Sequence, residues 1–568
     1  MILKALYDYY HRSGKLPPMR FATVNICFVI VIDEDGNFVR IDDVRDGKNL
    51  KQYVLPSPVT RTVGISPNLL WDNLEYVLAL PKEDGEALQA KANNKNASFV
   101  ERCKSIAQAF PECKEFAAVV KFYDNNGIET VKSADNWDVV LKERTRNVTF
   151  QLQQSLKTIA EHPSVAQYLN PSQEAEGDQI CLVTGERCSP VRLTGSTPIA
   201  GAQATASLVA FQQKSGYDSY GKVQCYNAPL SPDAKAAYVA ALKYLTAKDS
   251  RNKFSLGNRT FVFWSSSNEA AAQELEACFF SFLSNSKEDD PNANIEKLKK
   301  NLKSIWSGLA PSTDEDRFYI LGMAPNAARI AVVYWNELSL KEFSGLLLRH
   351  FEDMEIVDGR KEKKPYMGIY SMLSAVTLGG KPSDVQPNLP EAVLKSVVGG
   401  YAYPFPLYAS CLRRIRAELS ETTCFSITRM AIIKAYINRL PNNNNKLSVM
   451  LDTSNTNVGY LCGRLFAVLE KIQEDANNMH TIRERYLSAA SATPATVFAT
   501  LLNLSSHHSE KLKEGSQIWF EKLKGEIVAA LPANGFPTHL DLQDQGRFFV
   551  GYYHQRQDLY TKKTDNNE

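Results

Sequence analysis

The stretch GYDSYGKV, Gly216 to Val223, has the GxxxxGK spacing with which a phosphate loop wraps a nucleotide. Its neighbours argue against that chemistry. Val223 stands where a Ser or Thr would meet magnesium, and the following QCYNAPLSP carries two prolines where a helix should open toward the phosphates. The Asp33–Asn37 run in VIDEDGNFVRI has the acidic look of a calcium loop. It lacks the later Glu ligand and lies between β-rich runs, so it reads as the turn of a hairpin. His507 and His508 are adjacent, point to different faces of a helix and do not chelate one ion well. The cysteines lack CxxC spacing; Cys181/Cys188 and Cys103/Cys113 are the closest pairs. HExxH and GxSxG are absent. These residues predict reduced structural cysteines, no metal, no cofactor and no catalytic centre.

Cations and amides offer another chemistry, a grip on nucleic acid. Residues 357–440 hold 12 Lys and Arg against 6 Asp and Glu. The cations form groups: Arg360, Lys361, Lys363 and Lys364, then Arg413, Arg414 and Arg416, then Arg429, Lys434 and Arg439. Helical spacing puts Arg413 with Arg416 on one face and Arg429, Lys434 and Arg439 on a broad face of the next helix. Residues 450–568 hold 12 Lys and Arg against 14 Asp and Glu, yet Arg464, Lys471, Arg483 and Arg485 are spaced for one strip. Such surfaces are either solvated faces or phosphate contacts. In RTVGISPNLLWDNLEYVLAL, Arg61, Asn68, Trp71 and Asn73 crowd a loop-to-helix junction. Asn68 is a helix N-cap or a reader of base edges, and Trp71 is core or contact. Asn326 and Arg329 sit at a polar corner between two apolar strands.

The elements that must carry these residues follow from periodicity. MILKALYDYYHRS is an amphipathic helix closed by Gly14, and VNICFVIVI is a strand, far too short to span a membrane. Leu69, Leu70, Asn73, Leu74, Val77 and Leu78 recur at helical spacing, which predicts a helix from Asn68 onward. QICLVTGERC and ATASLVAFQQKSGYDSYGKVQCYNAPLS read as strand- and turn-rich, PDAKAAYVAALKYLTA as helix, RTFVFWSS as strand. Residues 285–302 read as an exposed loop running into a helix. RFYILGMAPNAARIAVVYW reads as two strands around Pro325–Arg329. From about residue 388, seven segments run at helical period, interrupted by the polar linker PNNNNK. The expected fold class is α+β, with mixed N-terminal and middle α/β regions and a C-terminal helical bundle. Expected boundaries are 1–175, 176–387, a basic helical segment 388–440 and a bundle 450–568.

With 568 residues the chain is long enough for roughly two to four domains. Its net charge of +2 puts any basic surface in a local patch. Arg12, Lys15 and Arg20 interrupt any secretory signal, which predicts a cytoplasmic protein with no membrane partner.

Several segments together resemble one family. MILKALYDYY, FVIVIDEDGNF, RTVGISPNLLWDNLEYVL, CLVTGE, SLVAFQQKSGYDSYGKVQCYNAPLS, FVFW, ILGMAPNAARIAVVYW and GRLFAVLEKIQEDAN…TIRERYLSAASATPATVFATLLNL are similar to signature segments of the large subunit of the type I-C CRISPR surveillance complex, Cascade. The resemblance runs in order from Met1 to about Lys513. It implies a non-catalytic subunit that tests the protospacer-adjacent motif in duplex DNA, promotes R-loop formation and guides the displaced single strand. The implied partners are CRISPR RNA, target DNA, the backbone, handle-binding and small subunits of Cascade, and a helicase–nuclease effector. It makes Arg61, Asn68, Trp71 and Asn73 candidates for the flanking-motif duplex, and Asn326 and Arg329 candidates for DNA or the guide's 5′ handle. It also implies a separate C-terminal product, for which Met450 is a suitable start. The other function class is a free-standing nucleotide- or metal-dependent nucleic-acid enzyme built on Lys222 or gathered carboxylates. A scaffold without DNA contact is the third.

Overall fold

A computed structural model describes residues 2–47, 49–59, 64–169, 177–211, 221–256, 258–283, 291–309, 316–359, 367–419, 425–441, 443, 445–479 and 481–561. The fold is α+β, as the periodicities require. The chain divides into two compact units. One comprises Met1–Pro198 with Gln203–Tyr244, the other Ile199–Ala202 with Leu245–Glu568.

In the first unit, helix α1 (Ile2–Ser13) stops at Gly14, whose φ of 59° is left-handed. Strands β1 (Phe21–Ile26), β2 (Phe28–Ile32), β3 (Phe38–Asp43) and β4 (Lys51–Pro56) follow. β2 is FVIVI with all five residues buried, the continuous apolar run of a strand covered on both faces. It hairpins into β3 through the Asp33–Asn37 turn. The Asp33 carboxylate accepts the N–H groups of Asp35 and Asn37 at 3.0 and 2.8 Å. Those acids therefore close a turn, and the Asn37 hydrogen bonds hold the Asp33 carboxyl below its ordinary value. Gly36 is required there, since a Cβ would meet Lys121 Cβ and Phe122 N at 2.6 Å.

Next come β5 (Trp71–Asn73), α2 (Leu74–Val77), α3 (Glu86–Ala109), α4 (Lys114–Asp124), α5 (Gly127–Val131), α6 (Trp137–Lys142), β6 (Asn147–Leu152) and α7 (Pro163–Leu169). The sheet order is β3-β2-β6-β5, with β2 and β6 parallel, and β1 pairs with β4 in a separate ribbon. The expected helix from Asn68 is replaced by a strand. Leu70 turns left-handed at φ 62°, Trp71–Asn73 pair antiparallel with Asn147–Thr149, and only Leu74–Val77 are helical. Pairing along β6 outweighs a local period. A short hairpin, β7 (Gln179–Ile180) and β8 (Arg187–Cys188), and helix α8 (Pro232–Thr246) complete the unit. Among the described residues of 204–231 there is no strand, and Gln224–Asn227 form a 3-10 turn.

The second unit opens with β9 (Lys253–Leu256), β10 (Arg259–Ser265), α9 (Ala270–Leu283), α10 (Pro291–Trp306), β11 (Arg317–Asn326) and β12 (Arg329–Ser339). α10 begins at Pro291, inside the stretch 285–302 that reads as a loop running into a helix. The four strands form an antiparallel sheet in the order β12-β11-β10-β9. Helices α11 (Leu340–Met354), α12 (Ile369–Ala375), α13 (Leu389–Val398), α14 (Phe405–Ala417), α15 (Ile427–Asn438), α16 (Val458–Asn477), α17 (Thr481–Ala490), α18 (Pro494–Ser509), α19 (Glu514–Ala529) and α20 (Leu542–Tyr560) follow. α20 has no counterpart among the segments read as helical.

One apolar cluster runs from Phe254 through Tyr553. At the sheet, Phe318 stacks on Phe343 at 4.0 Å while Phe279 meets Phe263, Phe318 and Phe343 edge-on. Each such pair contributes about 0.5–1.5 kcal/mol beyond burial. At the other end α20 lies against α16, with glycines at the crossing. A Cβ on Gly459, Gly463 or Gly551 would run into the carbonyls of Asp544, Phe548 or Tyr460. The Asn-rich segment is tied into this body. Asn443 Nδ2 donates to Ile437 O at 2.8 Å, and Arg547 Nη2 reaches Asn443 Oδ1 at 3.2 Å.

Candidate nucleic-acid interface

Of the four residues at the 61–73 junction, Asn68 and Trp71 are built into the interior and Asn73 is half-buried. The Trp71 indole is buried and its N–H donates to Pro56 O at 2.9 Å. Asn68 is 4% exposed; its Oδ1 accepts the Val59 N–H at 2.9 Å, and its own N–H reaches Asp72 Oδ2 at 2.8 Å. The cap is Asn73, whose Oδ1 accepts from Glu75 and Tyr76 at the start of α2. Arg102 Nη1 donates to Pro67 O at 2.6 Å. Asn68 thus fastens both ends of the segment between Val59 and itself. Arg61 belongs to that segment and lies outside the described residues.

The basic groups divide by exposure. Arg360, Lys361, Lys363 and Lys364 lie outside the described residues. Arg413 is exposed, donates to Ser410 Oγ at 2.8 Å, and shares with Arg414 a cavity of about 360 Å³. Arg414 pairs with Glu418 four residues on, and Arg416 donates to Gln545 Oε1 with its guanidinium 5.9 Å from the Phe549 ring. Glu418 also accepts Arg429 Nη1 at 2.5 Å, and Arg429 Nε donates to Ala375 O at 2.8 Å. Lys434 Nζ donates to Asp353 O at 2.9 Å, and burial pulls its pKa down. Arg439 pairs with the Asp353 carboxylate at 2.6 Å and lies 4.3 Å over the Tyr403 ring. The broad face expected of Arg429, Lys434 and Arg439 is therefore an interior face.

The C-terminal strip divides in the same way. Arg464 is buried and donates to Gln555 Oε1 at 3.0 Å, with burial lowering its pKa. Arg483 is buried with Nε 3.8 Å from Glu470, a carboxylate that also takes Tyr552 and Arg556. Lys471 pairs with Asp475 at 2.5 Å; Arg485 is exposed. Helical period does not reveal the partners Asp353, Glu418 and Glu470. The i,i+4 spacings Arg414–Glu418 and Lys471–Asp475 were the available local signals. Asp353 and Glu470 reach their cations across the fold, which no spacing records.

Asn326 and Arg329 meet the expectation of a corner in sharper form. They pair with each other across a two-residue turn in which Ala327 has φ 51°, and both are exposed at the tip of the β11–β12 hairpin. A hairpin anchored by ten residue pairs presents an amide and a guanidinium at fixed spacing, a fit to phosphate or a base edge.

Catalytic arrangements are weaker. Gly216–Tyr220 of the phosphate-loop match lie outside the described residues, and Gly221–Val223 lead into the 3-10 turn instead of a helix. His507 and His508 close α18. Among the described residues, metal-type ligands gather once, at Cys113, Glu115 and His162. There the thiol donates to Glu115 Oε2 at 3.1 Å, and burial with that carboxylate pushes its pKa up to about 11. It holds a proton at neutral pH and is no ready nucleophile. Among the described residues no helix is long and apolar enough to cross a membrane.

The model of a family described as CRISPR-associated protein (Cas_Csd1) matches residues 5–560. No curated protein matches the chain.

Proposed function

The chain belongs to the Cas_Csd1 family of CRISPR-associated proteins, and on that footing we propose that it is the large, non-catalytic subunit of a type I-C Cascade complex. The observation that carries the reading is the family match from residue 5 to residue 560. In this role the chain reads the protospacer-adjacent motif in duplex DNA and starts R-loop formation. Guide pairing supplies the rest of the sequence choice. It then stabilises the displaced strand and supports recruitment of a helicase–nuclease. Its partners are CRISPR RNA, target DNA and the other Cascade subunits, in the cytoplasm.

The Val59–Asn68 segment is the motif-testing element in this reading. Arg61 holds phosphate, while Asn68, Trp71 and Asn73 fix the frame that follows it in the chain. The hairpin tip at Asn326 and Arg329 meets DNA or the guide handle, and Arg413 and Arg485 add phosphate contacts.

The test is reconstitution with CRISPR RNA and the companion subunits, followed by binding to duplexes with correct and scrambled flanks. Discrimination should require this chain. Arg61→Ala should weaken both duplexes together, since phosphate carries no letter information. Equal discrimination by a complex lacking the chain would overturn the reading. The enzyme alternative is tested with the chain alone, ATP, Mg²⁺ and DNA: phosphate release or strand cleavage would favour it.

A further inference from the structure

Trp306 ends α10 with its indole 51% exposed, the most exposed tryptophan among the described residues. Gly345 on α11 leaves a notch in which the six-membered ring sits; a Cβ there would meet Trp306 Cζ3 at 2.5 Å. Lys341, one helical turn before Gly345, places Nζ 5.9 Å from the indole centroid. Arg349, one turn after it, lines with Lys299, Lys303 and Trp306 a cavity of about 470 Å³. Lys341, Gly345 and Arg349 thus form one i,i+4 row, with a cation about 6 Å along the axis on either side of the indole seat. Glu352 and Glu355 also line the cavity, at the end beyond Arg349. The corner after α13 adds a second ring to this flank. A Cβ on Gly400 would lie 4.0 Å from Arg349 Nη1, and the next residue, Tyr401, is 67% exposed.

The indole is half exposed, with Lys341 and Arg349 on the adjoining turns of α11. It suits a ligand with a flat π-face and a regularly charged backbone. We propose that this flank of α10 and α11 binds single-stranded nucleic acid, with a base stacked on Trp306 and Lys341, Arg349 and Lys303 on the adjoining phosphates. The proposal rests on the reading of the chain as a DNA-handling subunit and assigns the strand a place on it. Duplex DNA does not fit this site, because its bases are not free to stack.

The full-length chain is titrated against a fluorescent oligo-dT and against a duplex of the same length. Trp306→Ala should weaken oligo-dT binding about 5- to 150-fold while duplex binding stays within about two-fold. Trp306→Phe, which keeps a stacking ring, should recover most of the loss. Lys341→Gln with Arg349→Gln should reduce the slope of log affinity against log salt by roughly 1.4 on oligo-dT, about 0.7 per contact. Melting curves of each variant identify any loss that comes from unfolding, and the Phe variant then decides. Unchanged oligo-dT affinity in folded Trp306→Ala overturns the proposal, as does a wild-type chain that ignores oligo-dT. So does poly-glutamate quenching Trp306 emission where oligo-dT does not, which would assign the flank to an acidic protein. A complex that fails to tell correct from scrambled flanks, while Trp306 still governs oligo-dT binding, would remove the motif-reading role and leave this site standing.

Discussion

At the residue scale, exposure separates cations that are available to a partner from cations that hold the fold. Arg413 is exposed on α14, whereas Arg429 on α15 is buried against Glu418. Arg413→Ala should leave the melting temperature unchanged and lower the salt slope of target binding by about 0.9. Arg429→Ala should instead cost about 1–3 kcal/mol of stability, because it leaves Glu418 Oε2 and Ala375 O without their buried donor while Arg414 still holds the other carboxylate oxygen. Denaturant melts and salt titrations on the two variants check both outcomes; a melting loss in the Arg413 variant would contradict the assignment. Two histidines set a pH dependence. His350, bonded to Tyr403 OH at 2.7 Å, and His554, bonded to Tyr460 OH at 3.0 Å, are both pushed down to about 3, chiefly by burial. Their folded-state values lie below the unfolded 6.5, so below pH 6.5 the unfolded chain binds more protons. Their stabilisation is complete above pH 6.5 and is lost as pH falls toward 3. Going from pH 7 to pH 5 should cost about 2 kcal/mol per histidine, read as a lower urea midpoint. His350→Gln should flatten that dependence by about half.

At the element scale, what could be read from sequence follows from how many of an element's contacts are local. FVIVI, RTFVFWSS and the Asp33–Asn37 hairpin declare themselves because a β-branched or aromatic run and a side-chain-closed turn are written in consecutive residues, whatever strand they later pair with. α20 does not. Its Arg547, His554 and Gln555 are buried against residues elsewhere in the fold, so the sequence shows polar and aromatic residues with no clean apolar stripe. The same cause concealed the interior role of Arg429, Lys434, Arg464 and Arg483. Period alone does not distinguish a charge facing water from one facing Glu418 or Glu470. At 61–80 the cause is different. The apolar spacing was genuine, but Trp71–Asn73 had an open strand edge on β6 to join. The hairpin at Asn326 and Arg329 was legible because both flanking strands are apolar and the corner is not. The α16–α20 crossing supplies an element-scale prediction. Gly463→Ala should destabilise by about 1–3 kcal/mol or more, since its Cβ meets backbone on α20. Gly525→Ala on α19 has open space around it and should stabilise by about 0.5–1 kcal/mol. Thermal melts of the pair provide the comparison, and equal effects would mean the crossing is not tight.

At the scale of the whole molecule, the shared core of the second unit bears on the proposed separate product from Met450. Tyr408 donates to Leu542 O, and Phe425 packs on Phe549 and Tyr552 at 6.1 and 4.5 Å. A 450–568 fragment would carry that face uncovered. Expressed alone, it should melt at a lower temperature than the full chain and bind a dye for exposed apolar surface. Adding its natural neighbours in the complex should suppress the dye signal. A fragment that melts with the full chain and binds no dye would show that 450–568 is self-sufficient. Mass spectrometry of the native complex decides whether the product exists.

The glycine crossing also has a consequence in time. α16 leaves the ribosome before the helix it packs against, because α20 is complete only at Tyr560, roughly 80 residues downstream of Asn477. At about 5–20 residues per second, that interval is roughly 4–16 s. Throughout it, Arg464 and Glu470 lack the Gln555, Tyr552 and Arg556 that later neutralise their burial. The newborn α16 must therefore stay hydrated or be sheltered, and the second unit closes only after its last helix arrives. A premature stop anywhere between Asn478 and Leu542 leaves a nascent chain with its charged seam open, a mark by which quality control can tell an unfinished copy from a finished one.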